Sequence, residues 1–296
     1  MSLELGNATV ISEIERIRMV GSAFHKTGRP VAFVPLTNGV HAGHIALVRA
    51  AKHIRGAVTV VALQSPHEED LELLRAEGVD IVWNYSTDSL WPHGRRIAVA
   101  PVDAATALEP DLSEGLSLYL ALILTLSPTD VLLGEKDYEL LLAIHHAVQD
   151  FHLGVRVQGV PAIRMPDGVV MSLRNTSVPA GSRDQAAALS AALTAGAHAA
   201  EAGAEKVREV AAEVLRAAGV EPEYLEVRGR DLGTPPEEGD ARLLVAATIG
   251  GVRLIDNVGL PLGIGFNNIE EHEAKAELER EQQRAQDTAS QQPSED

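Results

Sequence analysis

The order of apolar and polar positions divides the chain into two textures. Residues 31–35 (VAFVP) are a short unbroken apolar run of the kind that buries in a sheet, and a polar, Gly-containing turn follows from Leu36 to Val40. Ile45, Leu47, Val48 and Ala51 then recur at an approximate 3.6 spacing, which predicts a helix over about 42–54. The same rhythm repeats: a strand at 57–63, a charged helix at about 68–77 and a strand at 79–83. It continues with an apolar helix over 114–127 stopped near Pro128, a strand at 130–133, a helix from about 136 to 151, and a strand at 155–159. Strands alternating with helices at this pace predict a Rossmann-like parallel α/β sheet. Residues 163–171 read as a hairpin around Pro166-Asp167-Gly168.

After Pro179 the texture changes. Residues 182–218 predict two helices broken near Ala202-Gly203, and strands follow at 223–228, 242–248 and 251–257, the last two turned by Gly250-Gly251. Helices followed by antiparallel strands predict a smaller α+β domain. The domain reading is therefore 1–177, 178–268, and an acidic tail over 269–296. Residues 270–296 hold nine acidic and three basic side chains; 270–286 could form a polar helix, and the last ten residues have no apolar face to bury.

Composition narrows the classes. The chain has 296 residues, 45% hydrophobic and 23% charged, enough for a packed core. Aromatics are 3% and the formal charge is −17, which argues against stacking platforms for nucleic acid and against general attraction to polyanions or anionic membranes. Cys is absent, so neither disulfides nor thiolate chemistry is available. No apolar run reaches the roughly 18 residues of a membrane span, and the first 20 residues alternate charge with apolarity, unlike a signal peptide. The expectation is a cytoplasmic protein that binds neither membrane nor nucleic acid.

Three constellations can carry chemistry. Pro35-Leu-Thr37-Asn-Gly-Val-His41-Ala-Gly43-His44 joins a buried strand to a helix, so His41 and His44 share the first helical turn beside its free N–H groups. That arrangement receives a phosphate, disfavours permanently protonated imidazoles, and uses Gly43 for close backbone approach. Two structural histidines would serve the same pattern. No carboxylate or third His stands at ligand spacing, so no protein metal site is expected. Gly134-Glu-Lys136-Asp137-Tyr138 opens the next strand-to-helix turn: Lys136 supplies a cation for phosphate and Asp137 an acceptor for sugar hydroxyls, or both simply begin a charged helix. Both turns follow the carboxyl ends of parallel strands, where open sheets bind ligands. Met171-Ser172-Leu173-Arg174-Asn175 places a hydroxyl and a guanidinium two residues apart, suited to a phosphate chain or to a polar loop.

HxGH, GEKDY and MSxRN in this order resemble the pantothenate synthetase (pantoate–β-alanine ligase) family, within the HIGH-type nucleotidyltransferase superfamily. The likeness spans roughly residues 10–263 and is densest at 31–61, 130–175 and 223–257. It implies a Rossmann-like catalytic domain with a smaller α+β domain closing over it, usually as a homodimer. It also implies ATP and Mg²⁺ as cofactors and two small-molecule substrates, pantoate and β-alanine, joined through pantoyl adenylate with release of pyrophosphate and AMP. By position, His41, His44, Lys136, Ser172 and Arg174 would hold the triphosphate and its developing charge, with His41, His44, Lys136 and Arg174 as the catalytic set. Gly134 and Asp137 would hold the ribose, and Leu133 and Ile163 would flank the adenine. Pro35, Thr37, Gly43, Met171 and Leu173 complete the implied ATP site.

The departures from the family pattern cluster around the acid. The family reads PTMGALHxGH where this chain has Pro35-Leu36-Thr37-Asn38-Gly39-Val40-His41. Its FVNPxQF and the long loop after it are reduced to Val61-Ala-Leu-Gln64-Ser65-Pro66, and its GxRPxHFxGV becomes Glu109-Pro110-Asp111-Leu112-Ser113-Glu114-Gly115-Leu116. Leu140 stands where GEKDYQQL carries a second pantoate-binding Gln, which leaves Gln64 and Leu140 as the acid-side positions. Each missing hydrogen bond weakens binding by about 0.5–1.5 kcal/mol. A paralogue adenylating a more apolar acid, or a nucleotide-binding partner subunit, fits the same residues.

Overall fold

The computed structural model describes residues 5–102 and 107–264. The helix expected over 270–286 and the acidic tail lie outside the described residues. The runs at 31–35, 58–64 and 81–85 are too short for helices and carry no polar face. Only a sheet covered on both sides hides all of their apolar surface while pairing every backbone group.

That sheet has six strands: β1 (Thr9–Ile11), β2 (Val31–Pro35), β3 (Val58–Gln64), β4 (Ile81–Tyr85), β5 (Asp130–Gly134) and β6 (Arg156–Val160). They lie in the order β1-β4-β3-β2-β5-β6, and every pairing is parallel. The helices between them are α1 (Ile14–Lys26), α2 (Ala42–Lys52), α3 (Glu68–Ala76), the single turn α4 (Thr87–Leu90), α5 (Leu112–Leu126) and α6 (Tyr138–Asp150). Alternate residues of β2 serve opposite faces. Val31 and Phe33 join Trp83, Leu122, Ile123 and Ile144 in one core, while Ala32 and Val34 join Val48, Ala51 and Leu74 in another.

The expected elements are found within a few residues of their expected bounds, with one addition at the start. The sequence reading assigned nothing to residues 1–30, whereas the structure places β1 at one edge of the sheet and α1 against α5. Ile14, Ile17, Gly21 and Phe24 carried the helical spacing, but a three-residue strand is below what pattern alone distinguishes. A Cβ on Gly21 would stand 1.9 Å from the Leu126 carbonyl oxygen, so glycine is what permits the close crossing of α1 and α5. The expected hairpin over 163–171 reduces to one antiparallel bridge, Arg164 with Val170, turned by Gly168 at φ +86°.

The remaining elements are α7 (Arg183–His198), α8 (Ala204–Ala217) and the strands β7 (Tyr224–Gly229), β8 (Gly239–Ile249) and β9 (Val252–Leu262), which form a separate antiparallel sheet in that order. The chain divides into two compact units: residues 1–190 with 246–256, and residues 191–245 with those from 257 onward. In the second unit Gly196 lets α7 approach Leu243, whose Cδ2 would lie 2.7 Å from a Cβ at that position.

One feature of this topology positions the site. The chain leaves β2 toward β3 and β4 on one side and returns to β5 and β6 on the other, so strand order reverses between β2 and β5. Helices on opposite sides of that boundary leave a crevice at the carboxyl ends of the two strands.

Candidate active site

The backbone of the turn after β2 is held from outside its own segment. Gly39 takes a left-handed φ of +56°. Asp70, in the first turn of α3, accepts from the Val40 N–H at 2.7 Å and from the His67 N–H at 3.0 Å. The sequence reading missed Asp70; an acidic residue three positions after the helix cap, His67, was its signal. His41 caps α2, and its Nδ1 accepts from the Gly43 N–H at 3.1 Å. A Cβ at Gly43 would stand 2.8 Å from His41 Cε1. The bare backbone at 43 therefore makes room for the imidazole itself, where the sequence reading reserved that room for a ligand.

His41 and His44 stack with ring centroids 3.7 Å apart and planes at 25°. His44 Nδ1 lies 3.1 Å from the Gly39 carbonyl, which can only accept, so that nitrogen carries the proton. The bond from Gly43 likewise assigns the His41 proton to Nε2. Burial lowers the His41 pKa, helped by the Lys136 ammonium and opposed by Asp137. Burial, then His41, push His44 down to about 4, against the Gly39 carbonyl, Asp137 and Asp70. Both rings are neutral at pH 7.

This has a measurable consequence. The unfolded chain protonates His44 near pH 6.5, whereas the folded protein does so only near 4. The folded state therefore binds fewer protons between those values. The His44 contribution to stability is complete above about pH 6.5 and is lost as the pH falls to about 4. The loss expected is on the order of 2–3 kcal/mol. Urea unfolding at pH 7 and pH 4.5 measures it, and His44→Gln should flatten the difference.

The second turn begins at Gly134, the last residue of β5. Glu135–Asp137 form a 3₁₀ turn, so α6 starts at Tyr138, two residues later than expected. Lys136 Nζ stands 3.3 Å from Asp137 Oδ1, with 17% of the lysine side chain exposed. The third segment is a 3₁₀ turn over Leu173–Ser177, capped where Ser172 Oγ accepts from the Arg174 N–H at 3.2 Å. Asn175 Nδ2 donates to the Val170 carbonyl at 2.8 Å and ties this turn to the hairpin. Arg174 itself is exposed, with one Nη1 bond of 3.5 Å to the Arg253 carbonyl.

All three segments border one cavity of about 330 Å³ at the carboxyl ends of β2 and β5. From the β2 side come Pro35, Thr37, His41, Gly43 and His44; from the β5 side come Leu133, Gly134, Lys136 and Asp137. Ile163, Met171, Ser172, Leu173 and Arg174 close it from the hairpin side. Every residue the sequence reading assigned to ATP thus borders the same space. Leu140 borders it too, but Gln64 does not: it ends β3, where its backbone N–H donates to the Thr37 carbonyl at 2.9 Å. Several bordering residues were given no role by the sequence reading, and Asn38 and Tyr119 are the polar ones among them. Tyr119 had a faint signal, as the one aromatic residue of an otherwise aliphatic helix.

Among the described residues there is no group of three or more His, Asp or Glu placed to hold a metal ion. A magnesium ion coordinated mainly by phosphates and water needs no such cage, and Asp137 is a carboxylate within reach of the same cavity. Among the described residues no helix is long and apolar enough to cross a membrane.

Several known proteins have similar sequences. The pantoate-beta-alanine ligase family matches residues 9–259. A pantothenate synthetase from Corynebacterium jeikeium (strain K411) is 42% identical over 293 residues, covering 92% of this chain and 96% of its own. One from Mycolicibacterium vanbaalenii is 40% identical, covering 88% and 90%. Among solved structures, the pantothenate synthetase of Thermus thermophilus superposes with a TM-score of 0.74 at 28% identity, covering 84% of this chain and 98% of its own. The pantoate-beta-alanine ligase of Francisella tularensis, complexed with beta-gamma ATP and beta-alanine, shares the fold with a TM-score of 0.69 at 24% identity, covering 84% and 97%. With the family match running through all three segments of the cavity, this chain belongs to the pantoate-beta-alanine ligase family.

Proposed function

We propose that the chain is an ATP-dependent ligase that condenses pantoate with β-alanine to give pantothenate, AMP and pyrophosphate. The observation that carries this reading is the convergence of HxGH, GEKD and MSxRN on one cavity at the strand-order reversal. A pantoate carboxylate oxygen attacks the α-phosphorus of ATP, and the bond to pyrophosphate breaks. The β-alanine amine then attacks the acyl carbon of pantoyl adenylate, AMP leaves, and the amine gives up its proton. No protein nucleophile is required, so the residues contribute position and charge.

In this reading Lys136 and Arg174 meet the phosphate charge. His41 donates from Nε2, and His44, neutral when the site is free, becomes a donor at Nε2 by taking a proton as the phosphates arrive. Gly134 and Asp137 hold the ribose, while Leu133 and Ile163 flank the base. Bound with the triphosphate, Mg²⁺ would supply screening of its negative charge, and Asp137 is a carboxylate of this cavity that could help hold it. Residues 1–177 are the catalytic domain and 178–268 the C-terminal α+β domain. The protein works in the cytoplasm, where ATP is supplied, and the homodimer follows from the family resemblance.

The test is ATP–pyrophosphate exchange with Mg²⁺, with and without pantoate, followed by β-alanine addition and detection of pantothenate. Exchange that requires pantoate, and product that requires both substrates, is the expected result. Exchange supported by another small acid but not by pantoate would replace the acid and keep the chemistry. ATP binding with no exchange for any acid would overturn the ligase reading.

A further inference from the structure

Setting aside the residues given above to ATP leaves ten that border the cavity, all apolar except Asn38 and Tyr119, and Tyr119 is the one that marks the end formed by α5. Leu36, Leu140 and Leu141 are among the apolar ones, and Asn38 lies at the turn beside Leu36. Gly115 and Tyr119 stand one turn apart on α5 and so share a face. A Cβ at Gly115 would lie 3.3 Å from Leu140 Cδ1, which shows that this face of α5 is turned toward the first turn of α6. Leu140 fills that space with methyl groups and offers no hydrogen bond.

Two tyrosines lie near this end, and they are used differently. The Tyr85 hydroxyl donates to the Leu36 carbonyl at 3.0 Å and so holds the wall of the cavity. The Tyr119 hydroxyl has no hydrogen-bond partner among the described residues. The Tyr119 side chain itself borders this cavity. Burial, with the nearby Asp137 charge, raises the phenol pKa, which keeps the group a neutral donor throughout the working pH range.

We propose that Tyr119 is the specificity-determining residue of the acid subsite, its phenol hydrogen-bonding a hydroxyl of the acid beside the apolar side chains of Leu36 and Leu140. The inference rests on the ligase reading above. It defines the substrate class as a branched hydroxy acid: methyl groups pack against the leucines, one hydroxyl meets the phenol, and the carboxylate faces the α-phosphate. Pantoate, with two methyl groups on its central carbon and two hydroxyls, satisfies this description. A single phenol thereby takes the place that the family pattern gives to an amide at position 140.

The experiment is steady-state ATP–pyrophosphate exchange by the full chain and by Tyr119→Phe, with pantoate and with its two monodeoxy analogues. The expected result is a KM for pantoate raised about tenfold in the variant, with kcat and the KM for ATP changed by no more than about twofold. With the analogue that lacks the contacted hydroxyl, wild type and variant should have the same KM. A variant KM for pantoate equal to that of wild type overturns the role of Tyr119 and leaves the ligase reading intact. So does a loss that persists with both analogues, or one shared equally by ATP. Wild-type protein without pantoate-dependent exchange overturns the ligase reading, and this proposal with it.

Discussion

Replacing Lys136 with alanine is expected to lower kcat for pantoate-dependent ATP–pyrophosphate exchange by about 10²- to 10³-fold. The ammonium lies in a cavity it shares with two neutral imidazoles, and it pairs with the Asp137 carboxylate at 3.3 Å. Charge develops on the leaving pyrophosphate as the acid attacks, and a cation fixed beforehand stabilises that charge without reorganising. Removing one such group from comparable sites costs about 2.7–4 kcal/mol of transition-state stabilisation, which sets the range given. Lys136→Arg should recover part of the rate, because the charge survives while its position shifts. A kcat for Lys136→Ala within about threefold of wild type would remove Lys136 from the proposed triphosphate set.

Arg164→Ala is expected to destabilise the folded protein by about 3–5 kcal/mol, read as a lower urea midpoint at unchanged slope. Arg164 Nη1 donates to Asp256 Oδ2 at 2.6 Å and Nη2 to Oδ1 at 3.1 Å, a two-pronged pair with a carboxylate whose side chain is 2% exposed. Nη1 also reaches Ser190 Oγ at 2.9 Å and the Gly168 carbonyl at 3.2 Å. Alanine would remove the guanidinium that balances the buried Asp256 charge. The double variant Arg164→Ala/Asp256→Ala should be less destabilised than Arg164→Ala alone, since it removes the unbalanced charge with its partner. The same arginine steadies the site: its neighbour Ile163 accepts through its carbonyl from the Met171 N–H at 2.8 Å, and both residues border the cavity. Arg164→Ala should therefore also raise the KM for ATP. Equal stability of the single and double variants would show that the pair does not carry the hairpin.

These two residues differ in how far the sequence alone reveals them. Lys136 sits in a turn whose neighbours announce phosphate chemistry. Nothing local marks Arg164, because its partner is 92 positions away and the pairing exists only after the hairpin reaches β9. Asp130 is a similar case. It reads as the polar start of a strand, yet it is fully buried and bonded to Arg156, Gln158 and Thr129 at the start of β5.

What the chain's linear pattern decided was the kind of fold and the chemistry of the nucleotide site. Apolar runs without a polar face require a sheet covered on both sides, and period-3.6 stretches between them supply the cover. The ATP-side residues lie within three short segments whose local turns are dictated by Gly39, by the His41 cap and by the start of α6, so their identity could be read before their meeting place was known. Folding decided what depends on residues far apart in sequence. The strand order brings the ends of β2 and β5 together, the helix crossing at Gly21 seats α1, and Asp70 holds the loop that carries His41 and His44. The end of the cavity proposed for the acid belongs to this second class. Tyr119 and Leu140 lie on different helices, and only the packing of α5 against α6 sets a phenol and a leucine at one wall.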